Sequence, residues 1–142
     1  VTAGGRFVDG DLGHLLGRAS HALVRDFDGH LRAAGLSAIE WRVLATLHDS
    51  EPLPISRLAR EVLAKQPTAT KLVQRMADQG WVRLEADPDD QRRTLVAATA
   101  AGRRLVRPLI DRARAHEASV LSTLRPGEKS ALKNLLAKLA AR

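Results

Sequence analysis

A chain of 142 residues falls in the ordinary range of one folded unit, and with 44% hydrophobic and 27% charged residues it has the make-up of a soluble globular protein. No apolar run approaches the roughly 20 residues of a membrane-spanning helix, and the absence of cysteine excludes disulfides, thiolate zinc sites and a thiol redox switch. A formal charge of +7 and a pI near 11.0 imply a polyanionic partner, because a protein that neutralises phosphates releases their counterions.

The charge is unevenly placed. From residue 100 onward ten Arg and Lys face three Asp and Glu, whereas residues 57–99 hold eight against six, so net charge does not by itself locate a nucleic-acid face. The opening Val1-Thr2-Ala3-Gly4-Gly5-Arg6 lacks the apolar core of a signal peptide, which points to the cytoplasm.

After that Gly-rich start, residues 11–34 read as one helix, with Leu12, Leu15, Leu16, Ala19, Leu23, Phe27 and Leu31 on a face that must be buried. His14, Arg18, His21 and Arg25 form a polar stripe opposite, either a solvated face or one side of a cleft for an anionic ligand. His14 and His21 stand roughly 10 Å apart along a helix, too far to share a metal ion. Gly35 suits a left-handed helix cap, and Ser37-Ala38-Ile39-Glu40 matches a capping box opening a second helix with Ile39, Val43, Leu44 and Leu47 inward. Trp41 lies just off that face, as a core residue or as the floor of a pocket.

Leu53-Pro54-Ile55 is short for a strand. Ser56 is expected to cap a helix running to about Leu63, with Leu58, Ala59 and Val62 inward. Lys65-Gln66-Pro67 then turns the chain, and Pro67 suits the first position of the next helix, which runs to about Gln79 and stops at Gly80. Leu72, Val73 and Met76 face its core. Its early and outward positions, Gln66, Thr68, Thr70, Lys71, Gln74 and Arg75, are amides, hydroxyls and cations with no acid before Asp78. That set suits a helix entering a major groove, since Gln and Arg read base edges bidentately and Thr meets phosphate or a thymine methyl. A plain solvated face would interleave Glu with Lys.

Trp81 to Glu85 alternates like a half-buried strand and Thr94 to Ala97 supplies the return. The intervening Ala86-Asp87-Pro88-Asp89-Asp90-Gln91-Arg92-Arg93 reads as a hairpin tip, either a solvated turn or a wing. In the second case Asp90 holds the Arg92 guanidinium by a bidentate pair and leaves other donors for the minor groove, with Arg93 beside it. Thr99 caps a long helix striped by Leu105, Leu109, Ala113, Val120 and Leu124, flanked by Val106 and Ile110 and kinked at Pro108. After Arg125-Pro126-Gly127-Glu128 a last helix carries Leu132, Leu135, Leu136 and Leu139. The first helix and the last two suit packing between two copies of the chain, and a homodimer would set two reading helices about one DNA turn apart.

The whole chain, over about residues 11–140, resembles the MarR family of bacterial transcriptional regulators. Asp90 to Gly102 fits the family's wing pattern D-x-R-x-x-x-x-x-x-T-x-x-G, supported by Leu36-Ser37 before Trp41-Arg42-Val43-Leu44 and by Thr68 to Gly80. Ala98 departs from the usual Leu before the Thr, and Pro67 from a common Ser. The resemblance implies a mainly α fold with a β-hairpin wing. Residues 37–99 would form the winged helix-turn-helix, residues 11–34 and 100–142 the dimerisation part, all within one domain of 1–142. It further implies Arg92 in the minor groove, tethered by Asp90, on a pseudo-palindromic duplex operator. A small, often aromatic and anionic, effector would release the repressor from DNA, with His14, Arg18 and Trp41 as candidate contacts. No cofactor is implied, and the location would be the bacterial cytoplasm, at the nucleoid. The competing reading is a ligand-independent winged-helix architectural protein. A metal sensor lacks suitable ligand spacing, and an enzyme lacks any catalytic constellation.

Overall fold

The computed structural model describes residues 5–142; the expectation drawn from Val1–Gly4, that no export signal opens the chain, lies outside the described residues. Its contacts divide the chain into two units, one comprising the described residues up to Phe27 together with Ala113–Arg142, the other Asp28–Arg112. Apart from Phe27, every buried apolar residue among those described lies in the second unit. No helix among them is long and apolar enough to cross a membrane.

The first unit holds α1 (Phe7–Gly10), α2 (Leu12–Val24), the end of α7 (Ala100–Val120) and α8 (Pro126–Ala140). The Gly-rich start is thus partly helical. Asp11 caps α2 by accepting from the His14 backbone N–H at 3.0 Å. The single helix expected over residues 11–34 is broken. Arg25 N–H still reaches the His21 carbonyl, but Phe27 N–H bonds Val24 at 3.1 Å, a tighter i−3 closure that ends the ladder before α3 (Asp28–Ala33). The expectation of a buried face also fails over most of its length. Phe27 and Leu31 are buried, but Leu12, Leu15 and Leu16 are 57%, 44% and 38% exposed, and α2 buries no residue. Periodicity marks a face to be covered without saying what covers it. α8 likewise leaves Leu132, Leu135, Leu136 and Leu139 exposed. Its first turn is formed by the residues expected to precede it, with Glu128 Oε1 accepting from both Arg125 N–H and Arg125 Nε.

In the second unit α3 ends as a Schellman motif: Gly35 takes φ 76°, and Leu36 N–H reaches the Leu31 carbonyl at 2.9 Å. The capping box at Ser37 and Glu40 is formed, opening α4 (Ala38–Leu47). Leu53–Pro54 is a short strand after all, β1, and it leads straight into α5 (Ile55–Glu61). Pro54 therefore stands at the N-cap, and Ser56, expected to cap, lies inside the first turn without a capping bond. α6 (Gln66–Asp78) follows, with Pro67 at its second position. β2 (Val82–Ala86) and β3 (Thr94–Ala98) form an antiparallel hairpin, Val82 opposite Ala98, and β1 pairs the other edge of β3. The core is made by Val43, Leu44 and Leu47 of α4, Leu58 of α5, Leu72, Val73 and Met76 of α6, Val96 of β3, and Val106 and Leu109 of α7. α7 continues through Pro108 and stops at Val120, short of the expected Leu124.

These elements join at Thr99. Its hydroxyl donates to the Gly80 carbonyl at 2.6 Å and accepts from Gly102 N–H at 3.0 Å, while its own N–H donates to the Trp81 carbonyl at 3.1 Å. Gly102 is buried so tightly there that an added Cβ would stand 2.1 Å from the Trp81 carbonyl oxygen. Gly102→Ala should therefore destabilise the fold by about 1 to 3 kcal/mol, as overpacking against backbone does. Denaturant unfolding checks this, and a wild-type midpoint would disprove the close approach.

Candidate nucleic-acid interface

The α5–α6 connection sets the pose of α6. Leu63 sits in the left-handed region at φ 61°, Val62 N–H and Ala64 N–H bond back to Leu58 and Ala59, and the buried Val62 anchors the turn. With Ala69, Leu72, Val73 and Met76 buried, helical geometry leaves Gln66, Thr68, Lys71, Gln74 and Arg75 on the exposed face. Thr68, Lys71, Gln74, Arg75 and Asp78 line one groove along it. Thr70 differs from expectation: it is half-buried, and its hydroxyl donates to the Gln66 carbonyl of its own helix at 3.0 Å.

The loop between β2 and β3 is an ordered turn. Asp87 N–H bonds the Arg93 carbonyl at 3.0 Å, Asp90 N–H the Asp87 carbonyl at 3.3 Å, and Arg93 N–H the Asp90 carbonyl at 2.9 Å. Arg92 projects from it with a side chain 91% exposed. The Asp90–Arg92 pair is formed, but it is not bidentate. One oxygen, Asp90 Oδ1, accepts from both Arg92 Nε and the Arg92 backbone N–H, each at 3.1 Å, because two residues of separation bring the backbone donor to the same oxygen. The terminal guanidinium nitrogens are left for other acceptors.

A second pair went unnoticed in the sequence. Asp87, the one buried polar or charged residue among those described, places Oδ2 3.6 Å from Arg93 Nε and accepts at Oδ1 from Asp89 N–H at 2.9 Å. The Asp-Pro-Asp turn signal was legible, but only the hairpin closure puts residue 87 beside residue 93. Ser56 and Thr94 are further additions: with Pro54, Ile55, Gln66, Thr70, Arg92 and Arg93 they line a cleft of about 240 Å³ where the start of α6 meets the base of the wing.

Family comparison agrees with this arrangement. A family model described as "MarR family" matches residues 34–93. The crystal structure of the MarR family transcriptional regulator SPO1453 from Silicibacter pomeroyi is 39% identical, covers 95% of this chain and 99% of its own, and superposes with a TM-score of 0.82. The chain belongs to the MarR family. A curated relative, the HTH-type transcriptional repressor NicR of Pseudomonas putida, is 29% identical over 128 residues, 90% of this chain and 81% of the relative. Bordetella bronchiseptica BpsR, 27% identical over 98% of this chain and 99% of its own with a TM-score of 0.82, is described as regulated in its DNA binding by 6-hydroxynicotinic acid. The MarR-family assignment places the chain among winged helix-turn-helix transcriptional regulators, not in an enzyme family. Its T-x-x-G pattern is the Thr99–Gly102 junction.

The candidate effector residues divide between the two units. His14 and Arg18 are exposed on α2 and line one groove of about 530 Å³ with Gly13, Gly17, His21, Ala22 and Arg25. Trp41, half-buried on α4, belongs to the other unit. Among the described residues no three His, Asp or Glu side chains gather as a metal-ligand set.

The two Arg92 N–H bonds hold the Asp90 carboxyl below the usual aspartate range, the side-chain bond contributing most, then the backbone bond, with the nearby Arg93 charge adding to them. The contribution of this pair is complete above the ordinary aspartate pKa and is lost only as pH falls through the depressed one. An NMR titration should find Asp90 below the ordinary aspartate range and Arg92→Ala should return it there; an unshifted wild-type midpoint would show that the pair does not persist in solution.

Proposed function

We propose that this MarR-family chain is a homodimeric, sequence-specific repressor whose α6 reads the major groove of a pseudo-palindromic operator while Arg92 enters the minor groove. The observation that carries the reading is the shared cleft: the start of an outward face that carries no acid before Asp78 and the cationic base of the wing border one space, so one duplex can engage both. Gln66, Thr68, Lys71, Gln74 and Arg75 supply base and phosphate contacts, and Asp90 holds Arg92 extended. Thr70 contributes less, since its hydroxyl is engaged within the helix.

The exposed leucines of α2 and α8 support the dimer. Seven of them, Leu12, Leu15, Leu16, Leu132, Leu135, Leu136 and Leu139, lie in the unit whose only buried apolar residue among those described is Phe27, and a second copy is the economical cover. The protein then works on chromosomal DNA in the bacterial cytoplasm. NicR's name as a repressor and BpsR's response to 6-hydroxynicotinic acid support release by a small aromatic anion, for which the α2 groove lined by His14 and Arg18 is the candidate site. Such a ligand shifts the protein only by its differential affinity for the DNA-bound and released states.

Footprinting on the chain's own upstream region should reveal a two-fold symmetric site; protection without sequence preference would favour an architectural protein instead. Gln74→Ala and Arg75→Ala should each cost about 1 to 3 kcal/mol at particular base pairs, whereas Arg92→Ala should weaken every site and lower the salt slope by about 1. Unchanged affinity and slope in Arg92→Ala would remove the wing from the interface. Aromatic acids titrated against the bound complex test the effector, and an Arg18→Ala response equal to wild type would discard that pocket.

A further inference from the structure

The cleft at the base of the wing contains an arrangement that the tip pair does not explain. Asp87 is buried, its side chain 12% exposed, and a carboxylate that deep is costly unless charge and hydrogen bonds compensate it. Its turn-forming duty needs only an acceptor at Oδ1 for Asp89 N–H, which an asparagine would provide equally. The negative charge answers to Arg93, whose Nε lies 3.6 Å from Oδ2.

Arg93 in turn is half exposed and borders the cleft with Arg92 and with the hydroxyls and amide of Ser56, Thr70, Thr94 and Gln66. No carboxylate lines that cleft, and the Arg93 terminal nitrogens bond no other described side chain. We infer that Asp87 is a positioning residue that aims Arg93 into the cleft, where Arg93 binds one backbone phosphate of the duplex, separately from the Asp90–Arg92 pair at the tip; this rests on the DNA-binding reading above. Each wing then makes two cationic contacts held by two different carboxylates. Asp90 keeps Arg92 extended from the loop, and Asp87 keeps Arg93 against the first turn of α6.

The test combines single variants, a double variant and neutral phosphates, using the full-length protein on its operator duplex. Arg93→Ala should lower affinity about tenfold and take about 0.9 from the salt slope, the share of one phosphate. Replacing single phosphates by methylphosphonates should reveal one position per half-site at which wild type loses affinity and Arg93→Ala does not. Asp87→Asn, which retains the turn acceptor, should weaken binding about two- to fivefold in the wild-type background, the range of an ion pair of this exposure, and have no effect when Arg93 is already Ala. An equal effect of Asp87→Asn in both backgrounds would reduce Asp87 to a turn former and overturn the inference. So would an Arg93→Ala protein with wild-type slope and methylphosphonate profile, a result independent of how well Asp87→Asn folds. Wild-type protein that retards no duplex would instead overturn the DNA-binding reading itself, and this inference with it.

Discussion

The end of α6, the start of β2, the end of β3 and the first turn of α7 all meet at Thr99, and the placement of α6 relative to the wing depends on that meeting. A single hydroxyl bridges the Gly80 carbonyl in the turn after α6 and the Gly102 N–H in the first turn of α7. The Gly102 N–H would otherwise be an unsatisfied helix end, costing about 1 kcal/mol or more where water is excluded. The bridge requires α7 to start almost in contact with the Trp81 carbonyl, which only a residue without Cβ permits. α6, the wing and the first part of α7, up to Arg112, therefore lie in one compact unit, and the relative placement of α6 and Arg92 does not have to be set on binding.

The wing solves a separate problem. A hairpin tip rich in aspartate would repel phosphate, yet two of its three acids are spent on arginines of the same loop, and Asp87 also shapes the turn. The loop presents fixed guanidinium groups instead of a mobile, mixed-sign tip. The negative charges cost long-range attraction to DNA and in return remove rotamer freedom that the arginines would lose on binding.

The two units are stabilised differently. The second has an apolar core drawn from every one of its elements. The first has helices whose apolar faces stay open, and isolated helices of that length are marginal in water without tertiary packing. Charge is also distributed unevenly along the chain. The net positive excess lies at residues 100–142, mostly on α7 and α8, while the segment proposed to read DNA is nearly balanced and relies on where its cations stand.

Local signals in the sequence determined much of this protein by themselves. Gly35, the Ser37–Glu40 capping box and Gly80 act within a few residues of chain, so their outcome is independent of distant contacts, and they and the Thr99 cap formed as expected. The outward face of α6 follows from the same logic, because helical period and a few buried positions leave little choice. Tertiary structure decided what depends on closure and packing. It broke the first helix after Val24 and displaced Ser56 from its cap by pairing Leu53–Pro54 with β3, whereas the Thr70 hydroxyl turns back onto its own helix by a local bond to the Gln66 carbonyl. It also joined Asp87 to Arg93 across the hairpin, a pairing that no spacing rule announces because it exists only once β2 and β3 are in register.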